Sequence, residues 1–241
     1  MIDKIKRRLE IYWQNISHLD IKLLKKGKGL QEGRYFYQKE YIDFPIKQGD
    51  KVLDIGSGGY PFPLATHLAD FYEGKTSHRY EDLKRDDRPL IICNLESTPF
   101  ADKEFDFVYC SHVLEHVDDP AQACEELMRI GKRGYIETPS KISDTMFNFT
   151  KIPKHHKWHI QVLENTLIFM EWKPSERRDM GTDYFFHAYH SKWKNPFQDL
   201  VWNNRDLFVN MMPWEDRFDY LVISRKGEII ASNKSMTNKH K

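Results

Sequence analysis

Cysteine is scarce in this sequence and is not arranged for a structural role. The 241 residues contain three cysteines, Cys93, Cys110 and Cys124, and no two of them form a Cys-x-x-Cys pair. An odd number of widely spaced thiols fits neither a disulfide-stabilised scaffold nor a thiolate zinc site. Free thiols persist in a reducing compartment, so we expect a cytoplasmic protein.

Long apolar runs and an excess of charge are missing as well. No run of about 18 apolar residues that could cross a bilayer is present, and the mean hydropathy is −0.69. Residues 1–6 are charged from the start and predict no secretory signal. Lysine and arginine total 37 against 36 aspartate and glutamate. Because this balance creates no basic field, no nucleic-acid partner is expected.

The composition is that of a folded chain, since 40% of the residues are hydrophobic and can form a sizeable core. We divide the sequence into an N-terminal helical cap at 1–48, a core at 49–140 and additions at 141–241 that complete the sheet. In the cap, apolar residues recur at helical spacing and basic residues lie off that stripe. Such a helix either packs on the core, which is the commoner case, or makes weak peripheral contact with a membrane. The stripe consists of Ile2, Ile5, Leu9, Trp13 and Ile16.

The core predicts a doubly wound, mostly parallel α/β sheet. Its first strand is the apolar run 51–56, which leads directly into a glycine-rich turn. A helix is expected at 120–129, because Asp118 or Asp119 can cap it and Gly131 can end it. Strands joined by helical or loop crossovers form parallel sheets. Further strands are expected at 66–70, 90–93, 105–110 and 135–137.

The carboxyl-terminal half predicts two hairpins and a helix. Glu164-Asn165 and Lys226-Gly227 are turn residues between apolar, β-rich runs. Aromatic residues are dense in this half, and their ordinary role is core packing. The hairpins are expected at 158–172 and 218–231, and the helix at 195–211.

The glycine-rich turn predicts a binding site for a nucleoside-like ligand. It lies at the carboxyl edge of the strands, where ligands bind in open α/β sheets, and glycine lets a ligand approach the main chain. Asp54 precedes the turn, and Asp70 ends the next strand. A carboxylate at that place can accept hydrogen bonds from both ribose hydroxyls.

Several motifs in order carry a family resemblance. VLDIGSG at 52–58 resembles the first motif of the class I S-adenosylmethionine-dependent methyltransferases. It is followed by CNLESTPF at 93–100, FDFVYC at 105–110 and SHVLEHV at 111–117. The ordered series is similar to the methyltransferase type 11 group, and the similarity extends over residues 49–140. It implies a Rossmann-like fold with the substrate recognised by the variable carboxyl-terminal additions.

The resemblance also implies roles for individual residues of the cofactor site. The turn would line the amino-acid portion of the cofactor, with Asp54 holding the turn or binding the ammonium group. Asp70 would accept the ribose hydroxyls, and Asn94 and the backbone of Leu95 would meet the adenine. Ser111 and His112 would border the cofactor at the end of the fourth strand. The turn residues concerned are Gly56, Ser57 and Gly58.

Two positions depart from the family pattern. Pro61 and Pro63 follow the turn closely, so a loop or a single helical turn is expected where the family has its first crossover helix. The shortened crossover makes Glu73 an alternative to Asp70 as the ribose ligand. The family more often has aspartate where Asn94 stands, and an amide oxygen accepts the adenine amine without charge assistance.

The histidines call for separate interpretation. His155, His156 and His159 lie close in sequence, as do His187 and His190, but no carboxylate or cysteine lies at a matching zinc-ligand interval, so no metal is expected. His155 and His156 would border the acceptor pocket or lie on the surface. The resemblance puts the segment of His116 beside the methyl group, which makes His116, and with it His112, a candidate for the general base. A capping or structural role for His116 is equally open.

The resemblance implies S-adenosyl-L-methionine as cofactor and methyl transfer to an oxygen, less readily a nitrogen, of a small molecule or glycan. Two alternatives stay open: a non-catalytic S-adenosylmethionine-binding protein, and a dinucleotide-dependent oxidoreductase on a related fold. The oxidoreductase is disfavoured because Pro61 stands where the third glycine of Gly-x-Gly-x-x-Gly belongs.

Overall fold

A computed structural model describes residues 34–74, 82–153 and 155–234. The apolar stripe predicted near the amino terminus lies outside these residues. Among the residues described, no helix is both long and apolar enough to span a bilayer.

The architecture is a mixed α/β fold with two sheets. The main sheet has six strands in the order β3-β2-β1-β4-β5-β8, with β1 to β5 parallel and β8 antiparallel to β5. This confirms the prediction of a mostly parallel sheet. Its strands are β1 (Val52–Ile55), β2 (His67–Asp70), β3 (Leu90–Ile92), β4 (Phe107–Ser111), β5 (Arg133–Pro139) and β8 (Val209–Glu215).

The second sheet contains four strands in the order β10-β9-β7-β6. It is built from the two hairpins that the sequence predicts, and the second strand of the first hairpin, β7, pairs in parallel with the first strand of the second hairpin, β9. Its strands are β6 (Trp158–Leu163), β7 (Thr166–Glu171), β9 (Asp219–Ile223) and β10 (Ile229–Ser232).

The helices are short, and most lie in the carboxyl-terminal half. They are α1 (Arg34–Tyr41), α2 (Pro120–Ile130), α3 (Lys141–Met146), α4 (Asp183–Tyr189), α5 (Pro196–Asn203) and α6 (Arg205–Phe208), with a 3₁₀ turn at Phe149–Lys151. The α2 helix begins as predicted, because the Asp119 carboxylate accepts a hydrogen bond from Gln122 N at 3.1 Å. It ends where Gly131 N donates to Leu127 O.

Strand alternation divides the core between the two faces of the main sheet. On one face, Val108 of β4 packs with Leu127 of α2 and with Phe169 of β7, so α2 and the second sheet cover this face together. On the other face, Tyr109 packs with Phe62 and with the chain that follows α1. Both faces are therefore covered, as a buried parallel sheet requires.

The first crossover contains no helix, as Pro61 and Pro63 predict. Between β1 and β2 the chain forms turns only, and Phe62 is buried and stacks on Tyr109 at a centroid distance of 4.1 Å. A packed loop thus takes the place of a helix on that face of the sheet.

The predicted helix at 195–211 is interrupted at Asn204 and is wrong over its last three residues, 209–211. The α5 helix ends at Asn203, Asn204 adopts φ −133°, and the short α6 gives way to β8 at Val209. Residues 209–215 instead pair in register with β5, from Pro139↔Val209 to Arg133↔Glu215. An apolar run is ambiguous between helix and strand, and here the exposed edge of β5 decides the outcome.

Candidate functional site

The glycine-rich turn forms a tight loop at the carboxyl end of β1. Gly56 and Gly58 adopt φ values of 81° and 53°, which side chains other than glycine rarely tolerate. Between them lies Ser57, which is buried, and its Oγ has no hydrogen-bond partner among the described residues. A buried hydroxyl of this kind needs a partner, which a bound ligand can supply.

Asp54 holds the proline-containing loop. Its side chain is 2% exposed, and its Oδ2 accepts a hydrogen bond from Phe62 N at 2.7 Å. Burial raises the pKa of Asp54 to about 7, although the Phe62 bond and the Arg34 guanidinium act in the opposite direction. This hydrogen bond supports the loop after the turn, and the two roles expected for Asp54, holding the turn or binding the ammonium group, stay predictions.

Asp70 stands at the end of β2 and supports the turn. Its Oδ2 accepts a hydrogen bond from Gly58 N at 3.0 Å, and its Oδ1 accepts one from Tyr72 N at 3.0 Å. Glu73, the alternative ribose ligand, is exposed and pairs with Arg85 at 2.5 Å. Of these two carboxylates, the one that reaches the turn belongs to Asp70.

The expected adenine contacts lie at the end of the neighbouring strand. Asp70 pairs with Ile92 in the sheet, which brings Asn94 to the same edge. Asn94 is exposed, and its Oδ1 accepts a hydrogen bond from Glu96 N at 3.0 Å. Leu95 is buried in the core, so only its backbone can meet a ligand.

The segment after β4 packs directly against the glycine turn. A Cβ built on Gly56 would lie 2.2 Å from Val113 Cγ2, so only glycine fits there. His112, with φ 58°, turns the chain at the end of β4. Ser111 is buried at that strand end, and its hydroxyl donates to Glu137 Oε1 at 3.3 Å. The residues expected to border the cofactor are thus brought together with the turn.

Glu137 is the centre of a buried polar network that the sequence analysis missed. The residue is fully buried in β5. It accepts hydrogen bonds from the Tyr37 hydroxyl at 2.6 Å, from Gln38 Nε2 at 2.9 Å and from the Tyr135 hydroxyl at 2.7 Å. The signal in the sequence was a carboxylate within an otherwise apolar strand, because such a charge is rarely buried without a partner.

His112 is clamped between two carboxylates. Its Nε2 lies 3.2 Å from Glu137 Oε1, and its Nδ1 lies 3.4 Å from Glu115 Oε1. Burial opposes the charged form of His112, but the two carboxylates outweigh it and raise the imidazole pKa above its ordinary value. Burial likewise opposes charge on Glu115, yet His112 and His116 lower the pKa of that carboxyl to about 2. The two carboxylates therefore favour the charged form of His112.

His116 meets two histidines from a distant part of the sequence. Its Nδ1 donates to the backbone oxygen of His155 at 2.6 Å, and its ring centroid lies 4.8 Å from that of His156. This meeting arises because the start of β6 is tied to the segment after β4: Lys157 N donates to Glu115 O at 2.7 Å. The ligand atoms of the three imidazoles all lie within 4.8 Å of one another.

The remaining histidines of the sequence clusters lie elsewhere. His159 is buried in β6 against Trp172, with ring centroids 4.8 Å apart, and burial lowers its pKa to about 4. His187 and His190 lie at the carboxyl end of α4. The cluster that spacing suggested, 155–159, is therefore not the cluster that the fold assembles.

Comparison with known proteins gives one family match. Residues 53–136 match the sequence model of a methyltransferase domain family, Methyltransf_11. This range contains the glycine turn, Asp70, Asn94 and the segment after β4. No curated protein is significantly similar to the chain.

Many solved structures share parts of the architecture. One is a chain from the complex between the Haloferax volcanii Trm112 methyltransferase activator and a methyltransferase, with 15% identity, TM-score 0.46, and coverage of 78% of this chain and 92% of that chain. Another is the YcgJ protein of Bacillus subtilis, with 16% identity, TM-score 0.41, and coverage of 79% and 99%. A third is an S-adenosylmethionine-dependent methyltransferase from Mesorhizobium loti, with 11% identity, TM-score 0.36, and coverage of 57% and 62%. Overlaps this distant assign no substrate or partner.

Proposed function

We propose that the chain is a class I S-adenosylmethionine-dependent methyltransferase of the type 11 group, the family whose model matches residues 53–136, and that it methylates an oxygen of a small molecule or glycan. The bound cofactor supplies an activated methyl group on a sulfonium, and a neutral thioether is the leaving group. The protein's own residues have to hold the cofactor, align the acceptor, exclude water and remove a proton.

The residues of the turn fit this cofactor. The Ser57 hydroxyl is buried and without a protein partner among the described residues, which suits a contact with the carboxylate of the methionine portion. Gly56 and Gly58 leave the backbone open to close approach. Asp70 has two oxygens at the edge of the turn, which suits a pair of ribose hydroxyls. We assign the adenine to the edge formed by Asn94 and the backbone of Leu95.

The contact between Gly56 and Val113 carries the proposal for the acceptor. It joins the turn that binds the cofactor to the segment that presents His112 and His116. An acceptor beside this segment therefore lies within reach of the methyl group and of an imidazole. In-line transfer needs this proximity.

His116 is the histidine of this segment that suits the removal of a proton from the acceptor. A hydroxyl becomes a good nucleophile as it loses its proton, and a base in hydrogen-bond reach accelerates such a step by about 10²–10⁴-fold. His112 is unsuited, because carboxylates engage both of its ring nitrogens. Its charge and position make it a residue that orders Glu115 and Glu137 at the edge of the site.

The size and lining of a neighbouring cleft support a small-molecule or glycan acceptor. The cleft measures about 550 Å³ and contains aromatic and basic side chains. It adjoins the histidines, since Lys157 follows His156 directly and Arg177 donates to the His156 backbone oxygen. Ligand sites of drug-sized molecules have volumes of this order.

Free thiols at all three described cysteines support a cytoplasmic location.

Methyl transfer from labelled cofactor to a panel of hydroxylated and aminated acceptors tests the proposal. We expect label on oxygen with at least one hydroxylated acceptor, and label confined to nitrogen would contradict it. The His116→Ala variant should lose about 10²–10⁴-fold in maximal rate while S-adenosylhomocysteine affinity stays unchanged. His187→Ala, on the exposed end of α4, is the matched control and should behave as wild type.

A further inference from the structure

Three imidazoles converge beside the proposed methyl-transfer site, and they come from two separate stretches of chain. His116 follows β4, whereas His155 and His156 precede β6. Their ligand atoms all lie within 4.8 Å of one another, and His155 and His156 are buried. The spacing of these residues in the sequence does not indicate this arrangement.

Two of the three rings are held in the orientation that metal ligation requires. His116 Nδ1 donates to the His155 backbone oxygen at 2.6 Å, and His156 Nδ1 donates to Asp144 Oδ1 at 2.6 Å. Each of these rings would therefore bind a metal through Nε2. Metal-ligating histidines in proteins commonly donate their other ring N–H to a carbonyl or carboxylate, which fixes the tautomer.

The surroundings of the cluster carry more buried negative charge than hydrogen bonds satisfy. Glu115 and Asp144 are each 1% exposed. Within the described residues, both Glu115 side-chain oxygens and Asp144 Oδ2 accept no hydrogen bond. Glu115 Oε1 lies 3.4 Å from His112 Nδ1 and 3.9 Å from His116 Nε2, so this carboxylate lies between His112 and the cluster. Buried carboxylates are costly without a compensating cation; His112 already faces Glu115, so a metal ion would compensate chiefly Asp144, which pairs with His156 of the cluster.

We propose that His116, His155 and His156 bind a divalent transition-metal ion of the zinc type, with Asp144 as the residue that orients His156. Three neutral imidazoles without a thiolate are a ligand set for zinc with an open fourth position, whereas magnesium and calcium prefer oxygen ligands. Zinc–nitrogen distances of about 2.0–2.1 Å require the nitrogens to approach one another more closely than 4.8 Å. We expect the histidine rings, whose terminal torsions are broad, to rotate when the ion binds and so to bring these nitrogens closer together.

Zinc binding would change His116 from a general base into a metal ligand, and the proposed methyl-transfer site would stay at the same place. As a ligand, His116 would place the metal beside the acceptor, and the open position could hold the acceptor oxygen and lower its pKa. This consequence rests on the proposed function. Binding of the ion does not, and it can be measured with neither cofactor nor acceptor present.

Zinc titration of the tag-free full chain, stripped with chelator beforehand, tests the proposal by calorimetry. We expect about one saturable site per chain with micromolar or tighter affinity, and cobalt(II) should give the visible absorption of a four-coordinate site. Magnesium should give no heat of binding. An absence of saturable zinc binding by the wild-type chain overturns the proposal, and the histidines are then counterions of Glu115 and Asp144.

Variants separate this cluster from other histidines. His116→Ala, His155→Ala and His156→Ala should each abolish the site, and Asp144→Asn should weaken zinc about 10–100-fold. His187→Ala is the matched control and should bind zinc as wild type does. Retained binding in the three cluster variants, or its loss in His187→Ala, overturns the assignment. Circular dichroism of each variant checks its fold, and the wild-type titration decides the question if a variant fails to fold.

Titration with S-adenosylhomocysteine keeps the two proposals apart. Its affinity tests the cofactor site, which the metal does not contact. If zinc binds and chelation leaves methyl transfer unchanged, the zinc site is confirmed and its proposed role in catalysis is wrong. If zinc does not bind and His116→Ala still loses activity, the imidazole itself takes the proton.

Discussion

At the scale of single residues, the positive φ values of the turn are the constraint on cofactor binding. Gly58 has φ 53°, and its N–H is held by Asp70 at 3.0 Å. A β-branched side chain at this φ is strained and would also project into the space assigned to the cofactor.

We therefore expect Gly58→Val to abolish S-adenosylhomocysteine binding in calorimetry while circular dichroism stays close to that of wild type. Gly74→Ala is the control, because a Cβ at Gly74 meets nothing within 4 Å. Near-wild-type affinity in Gly58→Val would contradict the placement of the cofactor at this turn.

A second residue-scale prediction ranks the ligands of the nucleoside. Asp70→Ala should weaken S-adenosylhomocysteine binding more than Asn94→Ala does, because hydrogen bonds to a charged group contribute about 1.5–3 kcal/mol and neutral ones about 1 kcal/mol. Glu73→Ala should have little effect, since Glu73 is exposed and paired with Arg85. Calorimetric affinities check the ranking, and a large loss in Glu73→Ala would move the ribose site.

At the scale of elements, Glu126 of α2 binds the segment that connects β3 to β4. Its Oε1 accepts hydrogen bonds from Thr98 N at 2.8 Å and Thr98 Oγ1 at 2.6 Å, and its Oε2 accepts one from Arg129 Nε at 2.8 Å. Burial opposes the charge, but Arg129 and Thr98 outweigh it and lower the pKa of Glu126 to about 2. This connection contains no helix, so side-chain hydrogen bonds such as these contribute to its order.

Because the pKa of Glu126 in the folded protein lies below its ordinary value of 4.5, the charged Glu126 stabilises the fold above that pH. The contribution is lost as pH falls from there towards 2. We expect Glu126→Gln to lower the free energy of unfolding by about 1–3 kcal/mol near neutral pH, with a smaller difference in acid. Urea unfolding at the two pH values measures this. Glu125→Gln, whose side chain is partly exposed, should change little, and a pH-independent loss in Glu126→Gln would argue against the charged network.

At the scale of the whole molecule, Asn210 links the two sheets. Its Nδ2 donates to Thr138 Oγ1 at 3.0 Å, to Pro139 O at 3.2 Å and to Ile160 O at 2.9 Å. Pro139 belongs to β5 of the main sheet and Ile160 to β6 of the second. This side chain therefore holds β6, and with it the histidines that precede β6, against the edge of the main sheet.

We expect Asn210→Ala to lower the free energy of unfolding by about 1–3 kcal/mol, because it leaves buried acceptors without a donor. Hydrogen exchange in β6 should accelerate more than exchange in β1. Asn203→Ala, at the exposed end of α5, is the matched control. Equal acceleration in both strands would mean that Asn210 supports the fold as a whole rather than the junction of the sheets.

Local patterns in the sequence were sufficient for the strands, the cofactor turn and the caps. The apolar run before Gly56, the Asp119-Pro120 start of α2 and the turn residues of both hairpins act over a few residues, so their outcome is already encoded in neighbouring side chains. The loop in place of the first crossover helix is of the same kind, since proline restricts the backbone at its own position.

Only the tertiary structure decided which distant residues meet. Residues 209–211 became part of a strand because β5 offered an open edge. Glu137 contacts Tyr37 and His112, and His116 contacts His155, because elements far apart in sequence pack against one another. These contacts depend on how the sheets and loops pack in three dimensions, and no spacing in the sequence carries that information.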